Sequence, residues 1–179
     1  MPDTSMSAVA VGTRLGPMVA VLDSSGTLVQ LDFARDWADG RPWRGHAVSR
    51  HAPAAAPVAD QLGEYFAGDR RAFDLKLAPR GDAFRRSVWA ELLRIPYGET
   101  RSYGEIARRV GRPGAARAVG VANATNPIAV VIPCHRVVGS DGRLVGYAAG
   151  LDIKRALLDL EHAAPPATAP AQKVLPLWR

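Results

Sequence analysis

The sequence contains a single cysteine, Cys134, and this residue limits how the chain can be stabilised. One thiol cannot form an intramolecular disulfide or a zinc site made of several cysteines. The four histidines also lack the spacing of a metal-ligand cluster; they are His46, His51, His135 and His162. A hydrophobic core must therefore hold the chain together, and 179 residues of 47% hydrophobic composition suffice for one compact domain or two small ones. We expect no metal and no cofactor.

Positive charge is concentrated in the middle of the chain. Residues 1–79 have eight basic and nine acidic residues, whereas residues 80–143 have eleven basic and five acidic residues, a net charge of +6. Of the 23 cations, 20 are arginine, whose guanidinium suits phosphate oxygens and stacked bases. This distribution favours an anionic partner, with nucleic acid first. The alternative is that the richness in alanine and arginine reflects only a GC-biased genome.

No segment has the length and composition of a membrane span or a leader peptide. Continuous apolar runs, such as residues 128–132 within the uncharged segment 125–134, fall well short of the about 18 to 20 residues that a membrane helix needs. We expect a soluble protein that is not secreted, in the cytoplasm of a bacterium.

The start of the chain predicts a β-hairpin. Residues 1–11 are interpreted as a loose leader. Two short apolar runs, at 15–21 and 27–31, follow it and flank the sequence Asp-Ser-Ser-Gly at 23–26. Apolar runs on either side of such a turn indicate two paired strands.

A helix and one further strand are predicted after this hairpin. The loop over 37–57 is rich in alanine, proline, arginine and glycine. Four large residues then recur at helical spacing before Gly68: Val58, Leu62, Tyr65 and Phe66. Three more alternate as in a strand: Phe73, Leu75 and Leu77. Residues 1–80 are therefore interpreted as a small α/β domain with a structural role.

Capping residues mark the starts of two helices in the middle of the chain. Asp82 can cap a helix that ends before Pro96 and carries its apolar residues on one side. Ser102 and Glu105 have the spacing of a capping box, which predicts a helix running to Val110.

The sequence Gly-Arg-Pro-Gly at 111–114 separates this helix from a further one over 115–124. Two short helices joined by a tight turn are typical of helix-turn-helix DNA-binding units, although many helical hairpins that bind nothing share the pattern. The second helix has almost no side chains that could read base edges. Its small residues and projecting Arg117 instead suit close entry into a narrow groove. The alternative is tight core packing, which is credible for Val119 and Ala122.

The cysteine follows an apolar run at 128–132, which predicts a buried strand. Such a cysteine is often only a small buried hydrophobic residue. Here Pro133 ends the strand, His135 supplies a titratable partner, and Arg136 favours a thiolate. In extended backbone His135 would point away from Cys134, so a water or a turn would be needed to link them.

The histidine needs an orienting acceptor, and several downstream carboxylates could provide it. They are Asp141, Asp152, Asp159 and Glu161. The sequence also predicts a turn at 141–142, a flexible loop at 146–150 and an amphipathic helix at 151–160. A tail at 163–179 follows, whose apolar residues could dock on the surface: Leu175, Leu177 and Trp178.

The hexapeptide Pro-Cys-His-Arg-Val-Val at 133–138 resembles the active-site motif of the O6-alkylguanine-DNA alkyltransferases, which are direct-reversal DNA repair proteins. Other segments match the family in order and spacing: Ile-Pro-Tyr-Gly-Glu-Thr at 95–100, Ser-Tyr at 102–103, Ala-Ala-Arg-Ala-Val-Gly at 115–120, Asn-Pro at 126–127, Gly-Tyr at 146–147, and the ending from Leu157 to Glu161. The resemblance covers residues 82–161, with weaker similarity at 15–17 and 65–68.

The resemblance implies an α/β N-terminal domain of ribonuclease-H-like fold and a mainly α C-terminal domain of winged helix-turn-helix fold. The expected boundaries are 1–80, 81–162 and, for an Ala/Pro-rich tail, 163–179. It also implies a protein that binds double-stranded DNA containing O6-alkylguanine and flips the base out from the minor groove. We expect a monomer, several copies of which could cluster along DNA.

The resemblance assigns the catalytic roles. Cys134 would accept the alkyl group, with Glu161, His135 and a water generating its thiolate. Tyr103 would give a proton to the leaving guanine, and Asn126 would act as a hinge. The substrate pocket would be formed by Val137, Tyr147 and Ala148. Since a thioether is stable, each molecule should act once.

The resemblance also assigns the DNA-binding residues. Arg117 would replace the flipped base in the stack. The other expected DNA contacts are Ala115, Ala116, Ala118, Gly120, Gly104 and Ser140. Departures from the family pattern occur at Val121, at Thr125 and in the pocket loop at 148–149. They affect the size of the pocket and therefore which alkyl groups it can accept.

Two other functions are compatible with parts of the sequence. A non-catalytic relative that binds alkylated DNA would keep Tyr103 and Arg117 but lose the nucleophile, and Cys134 argues against it. A cysteine hydrolase would turn over repeatedly, but adjacent cysteine and histidine are a poor dyad.

Overall fold

Strands occupy the first part of the chain and helices the second. The computed structural model describes residues 6–37, 41–49 and 52–163. Its elements are β1 (Ser7–Thr13), β2 (Gly16–Leu22), β3 (Leu28–Phe33), β4 (Val48–Ser49), α1 (Ala56–Ala67), α2 (Ala83–Leu92), β5 (Arg101–Ser102), α3 (Tyr103–Arg109), α4 (Ala116–Ala124), β6 (Val137–Val138) and α5 (Leu151–Ala163). Ala163, the first residue of the predicted tail, ends α5, and the rest of the tail, with its three apolar residues, lies outside the described residues.

The first region, residues 6–79, is built on a mixed four-stranded sheet in the order β3-β2-β1-β4. β1 and β3 pair antiparallel with β2, and β4 pairs parallel with β1. The predicted hairpin is confirmed as β2 and β3, and the Asp23 carboxylate closes its turn by accepting the N–H groups of Ser25 and Thr27 at 2.9 and 3.0 Å. β2 is buried on both faces, with Val19 in a small cluster opposite the main core.

Two predictions for this region are wrong. The described part of the supposed leader forms β1, which pairs with β2 across a short turn that ends at Gly16, with a φ of +111°. The supposed strand at 73–77 has only one bridge, in which Leu28 and Leu77 pair. Phe73 and Leu77 are buried in the core, so the alternation there reflects burial rather than strand pairing.

Helix α1 confirms the helical spacing read from the sequence. Val58, Leu62, Tyr65 and Phe66 are its buried residues. The helix ends at Gly68, whose φ of +88° is left-handed and favours glycine.

In the second region, residues 82–163, the predicted helix starts are confirmed. The Asp82 side chain accepts the N–H of Arg85 at 2.8 Å. Ser102 and Glu105 form the reciprocal capping box of α3. α2, α3 and α4 pack together, and the indole of Trp89 donates to the carbonyl of Ala122 at 2.8 Å. The small two-stranded sheet pairs β5 parallel with β6.

The apolar run at 128–132 is buried, but it is not a strand. Its backbone turns, with Val130 at a φ of +70°, and Ile132 N–H donates to the carbonyl of Ile128 at 3.0 Å. Asn126 stabilises the turn because its side-chain amide forms hydrogen bonds with the backbone of Ile128 and Ile132. Hydrophobicity alone does not distinguish a buried strand from a buried turn.

The two regions share one core. A continuous cluster of buried apolar residues extends from the sheet and α1 to α2, α4 and α5. The backbone of Leu31 in β3 bonds Pro127 and Ala129, each at 2.8 Å. Helix α5 is confirmed and runs three residues beyond its predicted end. Among the helices of the described ranges, none is long and apolar enough to cross a membrane.

Candidate active site

Cys134 lies in the wall of a cavity of about 340 Å³. One side of the cavity is formed by α4 and the turn after it, and another by the loop at 146–149. The first region closes it with Asp32, Phe33 and Arg44. Cys134 begins a 3-10 turn and is only 5% exposed. A ligand in this cavity would therefore lie against the sulfur while being surrounded by both regions.

Two asparagine side chains hold the backbone around the cysteine. The Asn126 amide donates to the carbonyl of Ile132 at 2.8 Å, and its oxygen accepts the N–H of Ile128 at 3.0 Å. Asn123, on α4, donates to the carbonyl of Cys134 at 3.2 Å. Helix α4 and the cysteine turn are thus tied together by buried hydrogen bonds.

His135 and Glu161 form a fully buried pair. Nε2 of His135 lies 2.8 Å from Oε1 of Glu161. Because an ionised carboxylate can only accept, Nε2 carries the proton and Nδ1 has the free lone pair. Nδ1 is buried and has no hydrogen-bond partner in the described part of the chain. It is therefore the ring atom available to take a proton.

The Glu161 carboxylate is surrounded by donors. Arg136 binds both of its oxygens, at 2.8 and 2.9 Å. The Tyr65 hydroxyl donates to Oε1 at 2.7 Å and the N–H of Gly98 to Oε2 at 3.1 Å. Burial alone would raise the pKa of Glu161, but His135 and Arg136 hold it well below its usual range. The carboxylate is ionised, and of the four candidate acceptors it is the one that meets His135.

The other three carboxylates are on the surface or in exposed ion pairs. Asp141 pairs with Arg143, and Asp152 pairs with Arg35. Asp159 is exposed on α5.

Cys134 and His135 are both neutral at rest. Burial raises the pKa of the thiol, and Asn126, Tyr147 and the charge of Lys154 offset only part of this effect. Burial lowers the pKa of His135 against the attraction of Glu161. A thiolate therefore has to be generated by moving the thiol proton.

Lys154 is a buried cation on α5 that organises the loop beside the cysteine. Its ammonium donates to the carbonyls of Val137, Val145 and Gly146 at 2.6, 3.0 and 3.3 Å. Burial lowers its pKa to about 8. The carbonyl of Val137, a predicted pocket residue, is thus already held by one donor.

The two remaining predicted pocket residues and the predicted proton donor Tyr103 lie near Cys134. Tyr147 and Ala148 line the cavity. Tyr103 begins α3 and is half-buried, and its hydroxyl donates to the carbonyl of Val145 at 2.9 Å. Burial and the neighbouring Cys134 raise the pKa of Tyr103, so its phenol keeps its proton.

Helix α4 has one buried side and one exposed side. Val119 and Ala122 are buried, as core packing requires, whereas Arg117, Ala118 and Val121 are exposed. Half-buried positions among the predicted DNA contacts are Ala115, Ala116, Gly120 and Gly104; Ser140 is exposed. The structure thus separates a packing side of α4 from a side available to a partner.

Several residues of the site were missed from the sequence. Asn123, Lys154 and Tyr65 read as ordinary helix residues, and Arg136 was given only a general electrostatic role. For the three helix residues, the one signal was polarity at positions that helical spacing turns toward the core. In the described ranges, no group of three or more His, Cys, Asp and Glu side chains could hold a metal ion.

Known proteins with similar sequences share one description. Residues 83–163 match a family model described as 6-O-methylguanine DNA methyltransferase, DNA binding domain. A methylated-DNA–protein-cysteine methyltransferase of Methanosarcina barkeri is 49% identical over 161 residues, which cover 85% of this chain and 94% of that protein. One of Mycolicibacterium paratuberculosis is 59% identical over 115 residues, covering 64% and 70%.

Solved structures agree with the sequences. The crystal structure of Mycobacterium tuberculosis O6-methylguanine methyltransferase has a TM-score of 0.81 and 43% identity, and the match covers 91% of this chain and 96% of that one. The OGT of the same organism in complex with DNA has a TM-score of 0.79 and 44% identity, covering 89% and 95%. The mixed sheet and the helices are thus shared over nearly the whole chain.

Proposed function

The chain belongs to the family of methylated-DNA–protein-cysteine methyltransferases, and from that premise we propose how its own residues carry out direct reversal of alkylation damage in DNA. The alkyl group on O6 of guanine moves to Cys134. A bond forms between Sγ and the alkyl carbon while the carbon–O6 bond breaks, and its electron pair stays on guanine. The product is a thioether, and one cysteine per chain makes the protein single-use.

The observation that carries this assignment is the placement of Cys134 in the cavity wall, with the buried His135 and Glu161 pair behind it. Nδ1 of His135 takes the thiol proton through a water, and Glu161 stabilises the resulting imidazolium. Asn126, which bonds the turn leading to the cysteine, is the hinge between α4 and the nucleophile.

Tyr103 supplies the proton that the departing guanine needs. Its hydroxyl is bonded to the carbonyl of Val145, and a flipped base would take this proton at a ring nitrogen instead. Protonating the leaving group as negative charge develops lowers the barrier to displacement.

Backbone groups around the cavity recognise the guanine. The carbonyls of Cys134 and Val137 accept its amino group, and the backbone near Ala148 meets O6. Asn123 and Lys154 already donate to these two carbonyls. Each carbonyl has a second lone pair for the base, so the two side chains support rather than block recognition.

The partner is double-stranded DNA containing O6-alkylguanine, and the α3–α4 pair forms the helix-turn-helix. The exposed, small-residue side of α4 enters the minor groove, assisted by Gly104 and Ser140. Arg117 fills the gap left by the flipped base. Extruding a base costs about a few kcal/mol, which the inserted guanidinium and the cationic segment at 80–143 offset.

At the level of architecture, we assign residues 1–80 to a ribonuclease-H-like domain and residues 81–162 to a winged helix-turn-helix domain, followed by the tail. The mixed sheet of the first region and the packing of α2 to α4 support this division. The protein acts as a monomer on the chromosome, in the bacterial cytoplasm, and can cluster along DNA.

Intact mass spectrometry tests the assignment. We expect incubation with a duplex carrying O6-methylguanine to add one methyl group, located on Cys134 by peptide mapping, and to saturate near one equivalent. An unmodified guanine duplex is the control. No mass gain, or repair that continues beyond one equivalent, would refute the proposal.

A further inference from the structure

Tyr65 contributes a hydrogen bond to the site from the other region of the molecule. It lies on α1, is fully buried, and donates through its hydroxyl to Oε1 of Glu161 at 2.7 Å. Its ring packs against Phe66, Phe73 and Tyr97. A phenylalanine would fill the same apolar space, so packing does not account for the hydroxyl.

We infer that Tyr65 is a positioning residue of the proton relay, which limits the charge that Glu161 offers His135 and so keeps Cys134 protonated until a base is bound. The inference rests on the proposed function, because a single-use cysteine must not react before the substrate arrives. It also gives the first region a part in the chemistry.

Tyr65 and His135 bind the same oxygen of Glu161. Oε1 of Glu161 accepts from three donors: Tyr65 at 2.7 Å, His135 at 2.8 Å and Arg136 at 2.9 Å. A donor on a carboxylate oxygen disperses its negative charge. The imidazolium form of His135 is then less stabilised, and proton transfer from the thiol becomes less favourable.

Loss of the Tyr65 hydroxyl would not release the carboxylate. Arg136 binds both oxygens of Glu161, and the N–H of Gly98 binds Oε2 at 3.1 Å. Removing the phenol oxygen therefore changes the electrostatics of Oε1 while leaving Glu161 in place.

The other titratable and charged groups facing this pair stay the same. They are Cys134 and Arg136 in the 3-10 turn, Lys154 on the same helix as Glu161, Tyr97 after α2, and Tyr147 in the loop at 146–149. Arg136 and Lys154 both disfavour a charged His135, and Tyr97 lies near the carboxylate without bonding it. A change caused by Tyr65 can thus be separated from these contributions.

The single cysteine allows a direct test, in which iodoacetamide alkylation of the full chain is followed by intact mass as a function of pH. We expect Tyr65→Phe to react about three- to tenfold faster than the wild type near neutral pH, since His135 becomes the better base. The two rates should converge at alkaline pH, where the thiol ionises without the relay.

Tyr97→Phe is the matched control, because it removes a neighbouring hydroxyl that is not bonded to Glu161. It should follow the wild-type profile. An unchanged or slower Tyr65→Phe at neutral pH would overturn the inference, and so would an equal acceleration in Tyr97→Phe. Methyl transfer from an O6-methylguanine duplex to the wild type is measured separately, so failure of the proposed function is distinguishable from failure of this inference.

Discussion

The two regions differ in what they bury. In the described residues of the first region, the core is apolar apart from the Tyr65 hydroxyl. Among the residues that the structure describes, the buried polar and charged ones are all in the second region: Glu91, Asn123, Asn126, His135, Arg136, Lys154 and Glu161. Removing such groups from water destabilises a fold unless hydrogen bonds compensate. The second region thus keeps groups that chemistry needs, and the first region supplies apolar stability and one hydroxyl.

Removing the nucleophile should give the largest effect. Cys134→Ser is expected to abolish methyl transfer, because a serine hydroxyl beside a neutral histidine is a far weaker nucleophile than a thiolate. Intact mass after incubation with an O6-methylguanine duplex checks this. Affinity for that duplex, measured by fluorescence anisotropy, should be retained. A large loss of affinity would show that Cys134 has mainly a structural role in the second region.

Breaking the buried charge cluster should affect both stability and activity. Glu161→Gln leaves Arg136 buried without its counter-charge, which should cost about 3–5 kcal/mol, and transfer should slow roughly 100-fold as His135 loses its partner. Urea unfolding and single-turnover kinetics measure the two effects. Asp159→Asn, an exposed carboxylate on the same helix, is the control. Equal stability of the two variants would contradict the role of the cluster.

The lowered pKa of Glu161 should make the unfolding free energy depend on pH. The folded-state pKa of Glu161 is lowered, so its stabilisation is complete above the unfolded carboxyl pKa of about 4.3 and is lost as pH falls toward the folded value. The unfolding free energy of the wild type should therefore decrease below that pH more steeply than that of Glu161→Gln. Parallel curves would rule out this contribution.

An intermediate effect is expected on the exposed side of α4. Arg117→Ala should slow repair in duplex DNA about 10- to 100-fold, since the flipped state loses stabilisation of a few kcal/mol, while reaction with free O6-benzylguanine should hardly change. Arg155→Ala, an exposed arginine of α5, is the control for general charge. Equal slowing on both substrates would remove the base-flipping role.

The smallest effect on chemistry should come from the apolar core of the first region. Leu62→Ala removes a fully buried side chain and should lower the unfolding free energy by about 2–4 kcal/mol. Transfer per folded molecule should stay at the wild-type rate below the melting transition. Slower transfer in fully folded protein would mean that this core also controls the site, and the contrast between the regions would fail.

Elements specified by neighbouring residues could be predicted from the sequence. The capping residues Asp82, Ser102 and Glu105 and the spacing in α1 need only contacts within a few residues. The errors at 7–11, 73–77 and 128–132 concern apolar segments that are buried but differ in backbone structure: a strand paired with its neighbour in the chain, a single bridge, and a turn closed on itself. Pairing of such segments depends on the rest of the fold, which hydrophobicity alone does not describe.

In the candidate site, too, the residues that are contiguous in sequence could be predicted and those brought together by the fold could not. The motif around Cys134 was visible in the sequence because its residues are contiguous, and its resemblance to a known family assigned the roles. Asn123, Lys154 and Tyr65 were not visible. Each acts through a hydrogen bond to a residue at least eleven positions away, and helical periodicity cannot show which buried polar atom will meet which.

The sequence by itself determined the helices, their caps, the cationic middle segment and the one nucleophile, because each depends on residue type and local spacing. The residues alone left four carboxylates open for His135 and the family resemblance implied Glu161; the tertiary structure shows that contact. Only the tertiary structure decided that the cysteine follows a turn rather than a strand. It also brought a tyrosine of the first region to Oε1 of Glu161. Residues 65, 98, 135 and 136 converge on that carboxylate, and such convergence is a property of the packed core rather than of any local segment.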